Sequence, residues 1–538
     1  MDRFSLEYFS GNRVCFWFGF FSNRDHLSFG YLFMKLFKFH DIPLILYLTG
    51  NFIFFFSFIT LIPILIAFIT CEWAELITFS FTFFLFITLS LLLTSFSPNQ
   101  REIKWLHGMA ATALVWLVVM VVSAIPLYFS SHYGSFLDSC FETMSGITTT
   151  GLSLTKDLDH LPISLNIWRH LLQFICGQGI VVLSLVFLTP AGVGFQAMVG
   201  EGKDERLLPS IQGTSKSIWK ISMIYFGIGF VLLSIIGLVQ GLTAPWSIFH
   251  SFNIYCSAWS TGGFLPQSQS MLYYHNIWYE VIAVSFFILG SINFGLHFVV
   301  WYKDRKELIK DIEIKTMIAT ISVLTVFLTV GLIKDSIYST LLPLTRKGLF
   351  QLLSAHFGAG QCNIYSQQFL TQWGEFGLVV IILAMMFGGS ASSTAGGFKL
   401  FRIGVFFKSV FADIKRLLQP KNSVIVDKIH HIQDIVLTDK IVKNSIIIIM
   451  LYILTHLIGA LAGMLAGNSA IASLFEATSA TANVGLSTGI TNPAMPSYLK
   501  IVYIITMWMG RLEFFATFVL IASFYRDIKS QFTHEVII

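Results

Sequence analysis

The sequence predicts an all-α polytopic membrane protein, because three observations agree. Hydrophobic residues make up 55% of the 538 residues and charged residues only 12%, whereas soluble domains are about 25% charged. The mean hydropathy is +0.73. Ten apolar segments are long enough to cross a bilayer, since a spanning helix needs about 20 apolar residues. Together these observations exclude a soluble, disordered or fibrous protein.

The predicted spans follow one another along the chain, with shorter apolar segments between some of them. The spans are 43–70, 73–95, 105–130, 168–195, 217–242, 278–302, 316–334, 374–403, 444–467 and 498–525. Four further apolar segments of about a dozen residues are too short to cross and are typical of re-entrant half-helices. They are 136–148, 246–258, 347–358 and 471–482.

The segments between these spans are alternately rich and poor in lysine and arginine. With a cytoplasmic N-terminus, 27 of the 34 basic residues lie on the cytoplasmic side, six lie outside, and Arg511 lies inside a span. Basic residues are enriched in cytoplasmic loops. We therefore expect both termini in the cytoplasm and the protein in the inner or plasma membrane. The six cysteines are scattered and predict neither a disulfide framework nor a zinc site.

Each half-helix is followed by a polar, glycine-bearing stretch, which indicates an internal fourfold repeat. FETMSGITTTG (141–151) and FEATSATANVG (475–485) share the initial Phe-Glu, a serine at the fifth position and a final glycine. FQLLSAHFGAG (350–360) keeps this frame, and the second copy, ending near Gly263, is looser. The predicted unit is a span, a half-helix, a glycine strand and a span, repeated four times with all loops facing outside.

Four parallel repeats of this kind predict a central ion pathway lined by backbone. Carbonyl oxygens that point at an axis replace the hydration shell of a cation, and such a backbone needs glycine where a Cβ is forbidden. Each half-helix directs its negative C-terminal end toward the pathway. Small residues also occur where membrane helices pack tightly. Four stretches in one frame on one side favour a pore over that alternative.

These residues resemble the TrkH/KtrB/HKT superfamily of potassium transporters, and the TrkH branch most closely. The matching motifs are MFGGSASSTAGGFKLFR (386–402), GRLE (510–513) and GQGIVVL (177–183), within a similarity that covers about residues 105 to 526. The resemblance implies four M1–P–M2 repeats plus two extra N-terminal transmembrane helices. The corresponding boundaries are 1–40 for a cytoplasmic tail, 41–97 for the extra pair, and 98–200, 201–303, 304–420 and 421–538 for the repeats.

The resemblance also implies a potassium filter and its partners. In plant relatives, serine in place of the first filter glycine accompanies sodium transport, so Gly151 favours potassium. Family members form dimers on a cytosolic ring of nucleotide-binding regulatory subunits of the TrkA type. Besides the lipid bilayer these are the expected partners, and no nucleic acid is expected. The predicted potassium ligands belong to Thr149, Thr150, Gly151, Thr261, Gly262, Gly263, Gly358, Ala359, Gly360, Asn483, Val484 and Gly485.

Two filter segments depart from the expected pattern. Gln361 follows Gly360 where relatives usually carry an aromatic or apolar residue, and Gly358-Ala359 replaces a threonine-containing pair. The frame of the third strand and the strictness of its selectivity therefore stay open. In the second strand we take Gly263 rather than Gly262 because Phe264 follows it.

The break in span 374–403 predicts a gate below the filter, because each glycine costs about 1 kcal/mol of helix stability relative to alanine. A packing crossover between helices is the alternative. We expect Lys399 and Arg402 to reach the cytoplasmic surface, or else to couple the gate to a partner. The predicted gate residues are Gly388, Gly389, Ser390, Ser392, Ser393, Thr394, Gly396, Gly397 and Lys399.

Arg511 differs from the other basic residues because it lies inside a predicted span. An arginine at the centre of a bilayer costs from about 2.5 to over 10 kcal/mol unless it is paired or hydrated. It acts either as a fixed charge near the pathway or as an ion-pair partner of Glu142 or Glu476, and the sequence does not rank these roles. Glu142 and Glu476 occupy equivalent positions and are expected to anchor their half-helices.

The sequence thus predicts potassium uptake rather than enzymatic catalysis. No GxxxxGK[ST] motif and no strand-led GxGxxG motif occurs, so nucleotide control would come from another chain. The cytoplasmic loop 404–442 is either a docking surface for that chain or a solvated basic face. A sodium- or proton-coupled, or weakly selective, monovalent cation transporter is the alternative function. A transporter with two inverted repeats fits four loops on one face poorly.

Overall fold

The computed structural model describes residues 41–96, 105–188, 211–338, 340–419 and 427–535. Most of these residues are helical, and the strands among them form a single hairpin. The predicted tail 1–40 and the predicted boundaries near residues 97, 200 and 420 lie outside the described residues.

The helices of the N-terminal half follow the predicted order. The N-terminal unit contains α1 (Ile42–Ile59), α2 (Leu61–Ile69) and α3 (Trp73–Thr94). The next segment contains α4 (Trp105–Phe129), α5 (Phe136–Ile147) and α6 (Ile163–Leu188). It is followed by α7 (Ile211–Val239), α8 (Ala244–Trp259), a short 3-10 helix (Ser270–Tyr274), α9 (Ile277–Ser291) and α10 (Phe294–Tyr302).

The helices of the C-terminal half are interrupted more often. It contains α11 (Glu307–Lys310), α12 (Ile312–Lys334), α13 (Leu341–Pro343), a π-helical turn (Leu344–Leu349), α14 (Phe350–His356), α15 (Ser366–Thr371), α16 (Gly374–Phe387) and α17 (Leu400–Leu417). The hairpin strands β1 (Lys428–His431) and β2 (Gln433–Val436) are antiparallel. They are followed by α18 (Asp439–Leu465), α19 (Ala470–Thr481), α20 (Ser497–Arg511) and α21 (Phe515–Glu535).

The predicted all-α membrane fold is confirmed, and the chain is a multi-pass membrane protein. Six continuous helical segments among the described residues are long and apolar enough to cross a bilayer, or eight if each of two bent helix pairs is counted as one span. Large apolar side chains stay exposed on the outer helices, as at Ile77 (70%) and Phe84 (63%), and such a surface faces lipid rather than water.

Two of the predicted spans, 278–302 and 498–525, are sharply bent. The bend between α9 and α10 is 98°, and the bend between α20 and α21 is 106°. At the first bend, the backbone N–H of Phe294 donates to the carbonyl of Ser392, which lies in a different span. At the second, Glu513 and Phe514 both have positive φ. The sequence did not predict these two bends, and the first of them is held by a contact with a distant span.

The half-helices α5, α8, α14 and α19 have 12, 16, 7 and 12 residues, which is too short to cross a bilayer. Every residue of α5 from Asp138 to Ile147 is buried, and α19 is buried from Phe475 to Thr481. The side chain of Ser135 accepts a hydrogen bond from the N–H of Asp138, and Ser469 accepts one from Ala472. These N-caps satisfy helix donors that water would otherwise have to satisfy.

A buried ion pair joins the first half-helix to the last span. Lys500 in α20 contacts Asp138 in α5 at 2.5 Å, and both side chains are almost fully buried. Lys500 therefore joins two segments that are 362 residues apart in the sequence.

We predict that Asp138→Ala destabilises the protein by about 3–5 kcal/mol, because it leaves the ammonium of Lys500 buried without its counter-ion. The measurement is the thermal unfolding midpoint of the purified protein in detergent. The double variant Asp138→Leu/Lys500→Met removes both charges and should recover most of the loss. A double variant less stable than Asp138→Ala would contradict this account.

Candidate functional site

Four extended segments that follow the half-helices meet at one point of the fold. We call Gly151, Gly263, Gly360 and Gly485 the glycine ring, because each approaches the next strand in closed order. A Cβ atom added to any of these glycines would lie against the backbone of the next strand. The distances from the added Cβ to the nearby carbonyl oxygen are 2.5 Å for Gly151 (to Gly262), 3.3 Å for Gly263 (to Ala359), 2.1 Å for Gly360 (to Val484) and 2.1 Å for Gly485 (to Thr150).

The four strands share one backbone conformation. Two residues of each have positive φ, and the residue between them does not, which lets successive carbonyls face the same side. The pairs are Thr149 and Gly151, Thr261 and Gly263, Gly358 and Gly360, and Asn483 and Gly485. Gly263 rather than Gly262 has the left-handed conformation, and the third strand stays in frame despite Gln361.

Backbone hydrogen bonds tie each strand to its own half-helix in the same way. The residue before each ring glycine donates to a serine carbonyl five residues earlier. These bonds are Thr150 to Ser145 (2.8 Å), Gly262 to Ser257 (2.8 Å), Ala359 to Ser354 (2.8 Å) and Val484 to Ser479 (2.9 Å). The sequence comparison had found this serine in three copies, and the structure adds Ser257 as the fourth.

A cavity of about 490 Å³ opens above the glycine ring, and all four ring glycines line it. Its other lining groups include the side chains of Arg169, Ser153, Ser487 and Thr491. No carboxylate is among the described residues that line it. Any preference of this cavity for cations must therefore come from backbone carbonyls and helix ends.

Polar side chains hold the chain just after the ring in three of the four segments. Glu142 accepts from the backbone N–H of Leu154 at 2.8 Å, and Glu476 accepts from that of Thr488 at 3.0 Å. In the third segment Gln351, at the equivalent position, donates to Asn363 at 2.9 Å. The equivalent residue of the second segment is Ile254, which cannot form such a bond.

Arg169 supports the first and second segments together. Its guanidinium contacts Glu142 at 2.6 Å and lies 4.1 Å from the centre of the Phe264 ring. Arg169 is only 1% exposed, so its charge is buried together with that of Glu142. Its position near the start of a span gave no signal for this role, because its partner is 27 residues away.

Two glutamines lie behind the ring. Gln173 donates to the carbonyl of Gly262, and Gln361 donates to the hydroxyl of Ser257 at 3.3 Å. The carbonyl of Gln361 accepts from Ser354 at 2.7 Å. Gln361 therefore joins the third strand to the second half-helix, which accounts for its polarity at a position where the sequence pattern predicted an apolar residue.

Residues 388–399, between α16 and α17, form a loop that lies against the inner ends of the strands. We call it the 388–399 loop. Thr394 reaches the hydroxyl of Thr261 at 3.1 Å and the carbonyl of Gly290 at 2.9 Å. A Cβ on Gly396 would lie 2.1 Å from the Ala482 oxygen. The predicted gate residues are thus next to the second and fourth strands.

The two ends of the 388–399 loop pack too closely for side chains, which explains the glycines there. Gly388 and Gly397 have positive φ, and so do Ser392 and Lys399. A Cβ on Gly388 would lie 2.1 Å from the Gly396 oxygen, so the two ends of the loop pack directly on each other. At the start of α17, the backbone N–H of Leu400 donates to the carbonyl of Gly389 at 2.9 Å. This bond also joins the two ends of the loop.

Three basic side chains are buried around this loop, contrary to part of the sequence prediction. Arg511 donates to the carbonyl of Thr394, and Lys399 donates to that of Ala395. Arg402 forms an ion pair with Glu513. Lys399 is 6% and Arg402 4% exposed, so the prediction that they reach the surface was wrong; loop carbonyls and Glu513 solvate them instead.

The predicted pairing of Arg511 with Glu142 or Glu476 was also wrong. Glu142 contacts Arg169, and the carboxylate of Glu476 accepts from Ser487, Thr488 and Thr491. Both carboxylates lie above the ring, whereas Arg511 lies at the bend of the last span. Its guanidinium therefore contacts the 388–399 loop.

Comparison with known proteins agrees with this geometry. The sequence profile of the TrkH family, described as cation transport proteins, matches residues 76–528. The chain belongs to the TrkH family. An uncharacterized cation transporter of Methanocaldococcus jannaschii is 31% identical over 90% of this chain and 96% of its own length.

Two further relatives of this TrkH-family chain have been assigned a transported ion. The Trk system potassium uptake protein TrkH of Escherichia coli is 29% identical over 89% of this chain and 98% of its own length. The crystal structure of the potassium transporter TrkH from Vibrio parahaemolyticus has a TM-score of 0.75 and 26% identity, covering 89% of this chain and 98% of that chain.

We predict that Glu142→Gln destabilises the TrkH-family chain by about 3–5 kcal/mol, because it leaves the guanidinium of Arg169 buried without a counter-ion. Glu476→Gln is the matched control. Its hydrogen-bond donors are neutral, so we expect a loss of only about 1–2 kcal/mol. Thermal unfolding midpoints in detergent give the comparison, and equal losses in the two variants would count against the ion-pair explanation.

Proposed function

We propose that this protein takes up potassium ions through the glycine ring. The observation that carries the proposal is the closed contact order of four strands with one repeated backbone conformation. A ring of backbone carbonyls coordinates a dehydrated cation without any carboxylate. Relatives named as potassium uptake proteins support potassium as the ion, and Gly151 in the first strand agrees with them.

In this proposal the potassium ligands are backbone carbonyls of residues 149–151, 261–263, 358–360 and 483–485. The half-helices α5, α8, α14 and α19 end beside these strands, and their negative dipole ends favour a cation there. The cavity above the ring receives ions from outside, and potassium is the transported ion rather than a resident cofactor. The membrane potential contributes about 2.3 kcal/mol per charge per 100 mV.

We further propose that the 388–399 loop is the gate. It packs against the inner ends of the strands through Thr394 and Gly396, so an ion that leaves the ring meets it next. Arg511 and Lys399 add two positive charges to the loop carbonyls. These charges oppose a cation electrostatically, and movement of the loop would open the path.

The remaining expectations belong to the same proposal. The chain is placed in the inner or plasma membrane with both termini cytoplasmic, on the distribution of its basic residues. The four repeats keep the boundaries given above, and the protein works as a homodimer with a nucleotide-binding regulatory subunit. The names of the relatives as parts of a Trk system support the existence of such a partner.

The first test is uptake of rubidium-86 into proteoliposomes loaded with potassium, with and without competing sodium. External potassium should block uptake and sodium should not. We predict that Gly151→Ser lowers the preference for potassium over sodium by at least tenfold, about 1.4 kcal/mol, because a Cβ at Gly151 would lie 2.5 Å from the Gly262 oxygen.

Gly241→Ser is the matched control, since Gly241 also has positive φ but nothing within 4 Å of an added Cβ. This variant should keep the normal preference. Equal competition by sodium in the unaltered protein would favour the weakly selective alternative. Dependence of uptake on a sodium or proton gradient would favour the coupled one.

The second test concerns the gate. We predict that Arg511→Ala raises rubidium uptake by roughly tenfold, because the loop loses a charged hydrogen bond, worth about 1.5–3 kcal/mol, and a positive charge near the path. Arg416→Ala, which removes a 45%-exposed guanidinium, should leave uptake unchanged. Unchanged or reduced uptake by correctly folded Arg511→Ala protein would argue against a gating role for the loop.

A further inference from the structure

A buried cluster of metal-ligand side chains lies between the α12 N-terminus and the β-hairpin. Asp311, Glu313 and His431 each offer one ligand atom, and these atoms all lie within 4.8 Å of one another. The Nδ1 atom of His431 is 3.1 Å from Asp311 and 3.9 Å from Glu313. All three side chains are at most 1% exposed. Neither the glycine ring nor the 388–399 loop contains any of them.

Two of the ligands are fixed by the backbone around them. Asp311 caps α12 by accepting from the N–H of Glu313 at 2.8 Å, and it also accepts from that of Ile432 at 3.1 Å. The ring of Phe401 lies 5.0 Å from the imidazole of His431. Ile429 and Leu437, on either side of His431, are buried in the same apolar cluster as Phe401. The hairpin therefore holds His431 against the two carboxylates.

Glu313 provides the observation that points to a ligand. One carboxylate oxygen accepts from the N–H of Ala391 at 2.6 Å. The other, Oε2, is fully buried and has no hydrogen-bond partner among the described residues, although it faces His431. A buried carboxylate oxygen without a partner is costly, and a cation between Glu313, Asp311 and His431 would remove that cost.

We propose that Asp311, Glu313 and His431 bind a first-row divalent transition-metal cation, for which zinc is the probe. Two carboxylates and one imidazole match the ligands of such ions, whereas magnesium and calcium prefer oxygen ligands alone. Ligands of tetrahedral zinc are roughly 3.4 Å apart, from bond lengths of about 2.0–2.2 Å. The distances from the imidazole nitrogen to the two carboxylates, 3.1 Å and 3.9 Å, lie on either side of that spacing.

The proposed metal site joins the hairpin to the 388–399 loop. Glu313 holds the hairpin through its metal-facing oxygen and the loop through Ala391. His430 and Ile432, which flank His431, are only half-buried, so the site lies one residue below the surface. The binding itself does not depend on which ion crosses the glycine ring.

The experiment is equilibrium dialysis of the purified full-length protein, with its affinity tag removed, against zinc in a non-chelating buffer. Metal analysis then gives the stoichiometry and the affinity. We expect one zinc per chain that a large excess of magnesium does not displace. Binding should weaken at acidic pH, because protons compete with the metal for its ligands.

Three variants identify the site. His431→Ala and Glu313→Gln should each bind zinc at least tenfold more weakly. His430→Ala is the matched control, because His430 is the neighbouring residue on the same hairpin and contacts Glu307 and Asp434 instead; it should bind zinc normally. Elution from a size-exclusion column checks that each variant is folded.

A second measurement uses the unaltered protein alone. Cobalt bound at the site should give the visible absorption of a low-coordinate Co²⁺ centre, which one equivalent of zinc should abolish. Absence of zinc binding to the unaltered protein would overturn the proposal. So would His431→Ala protein that binds zinc as tightly as His430→Ala protein. Rubidium uptake is measured separately, so a failure here is distinguishable from a failure of the proposed transport.

Discussion

The structure depends on one steric constraint, which is that four backbone strands approach a common axis too closely for side chains. At three of the four ring glycines an added Cβ would lie within 2.5 Å of a neighbouring carbonyl oxygen. Only glycine tolerates that contact together with a positive φ. The half-helices must then stop short of crossing the fold, and each strand takes its position from a backbone bond to its own half-helix.

The four strands reach the same geometry through different chemistry. The first uses a buried ion pair between Glu142 and Arg169, and the fourth uses Glu476 with neutral donors. The third uses an amide pair, Gln351 with Asn363. In the second, Ile254 replaces the polar residue, and Arg169 stacks on Phe264 instead. The four strands therefore share a backbone conformation but are held by different side-chain contacts. Mutation of these contacts should affect the four strands to different extents.

Buried charges and contacts between distant segments concentrate around the interrupted spans. The bend after α9 is bonded to Ser392 of the 388–399 loop, and Arg511, at the bend after α20, is bonded to Thr394 of the same loop. Glu313 attaches a third helix through Ala391. Three elements distant in sequence thus converge on one loop, so a change at any of them acts on the position of that loop.

The sequence by itself determined the class of protein, the half-helices, the ring glycines and the break in span 374–403, because hydrophobic length and glycine positions are local properties. The frame of the weak second strand also followed from the sequence, because Phe264 comes directly after Gly263. Only the tertiary structure decided the partners of Arg169, Lys399, Arg402 and Arg511, and it alone bent two apolar spans. A long apolar sequence predicts that a helix lies in the membrane. The partner of a buried charge, in contrast, depends on which oxygen atoms distant segments place next to it.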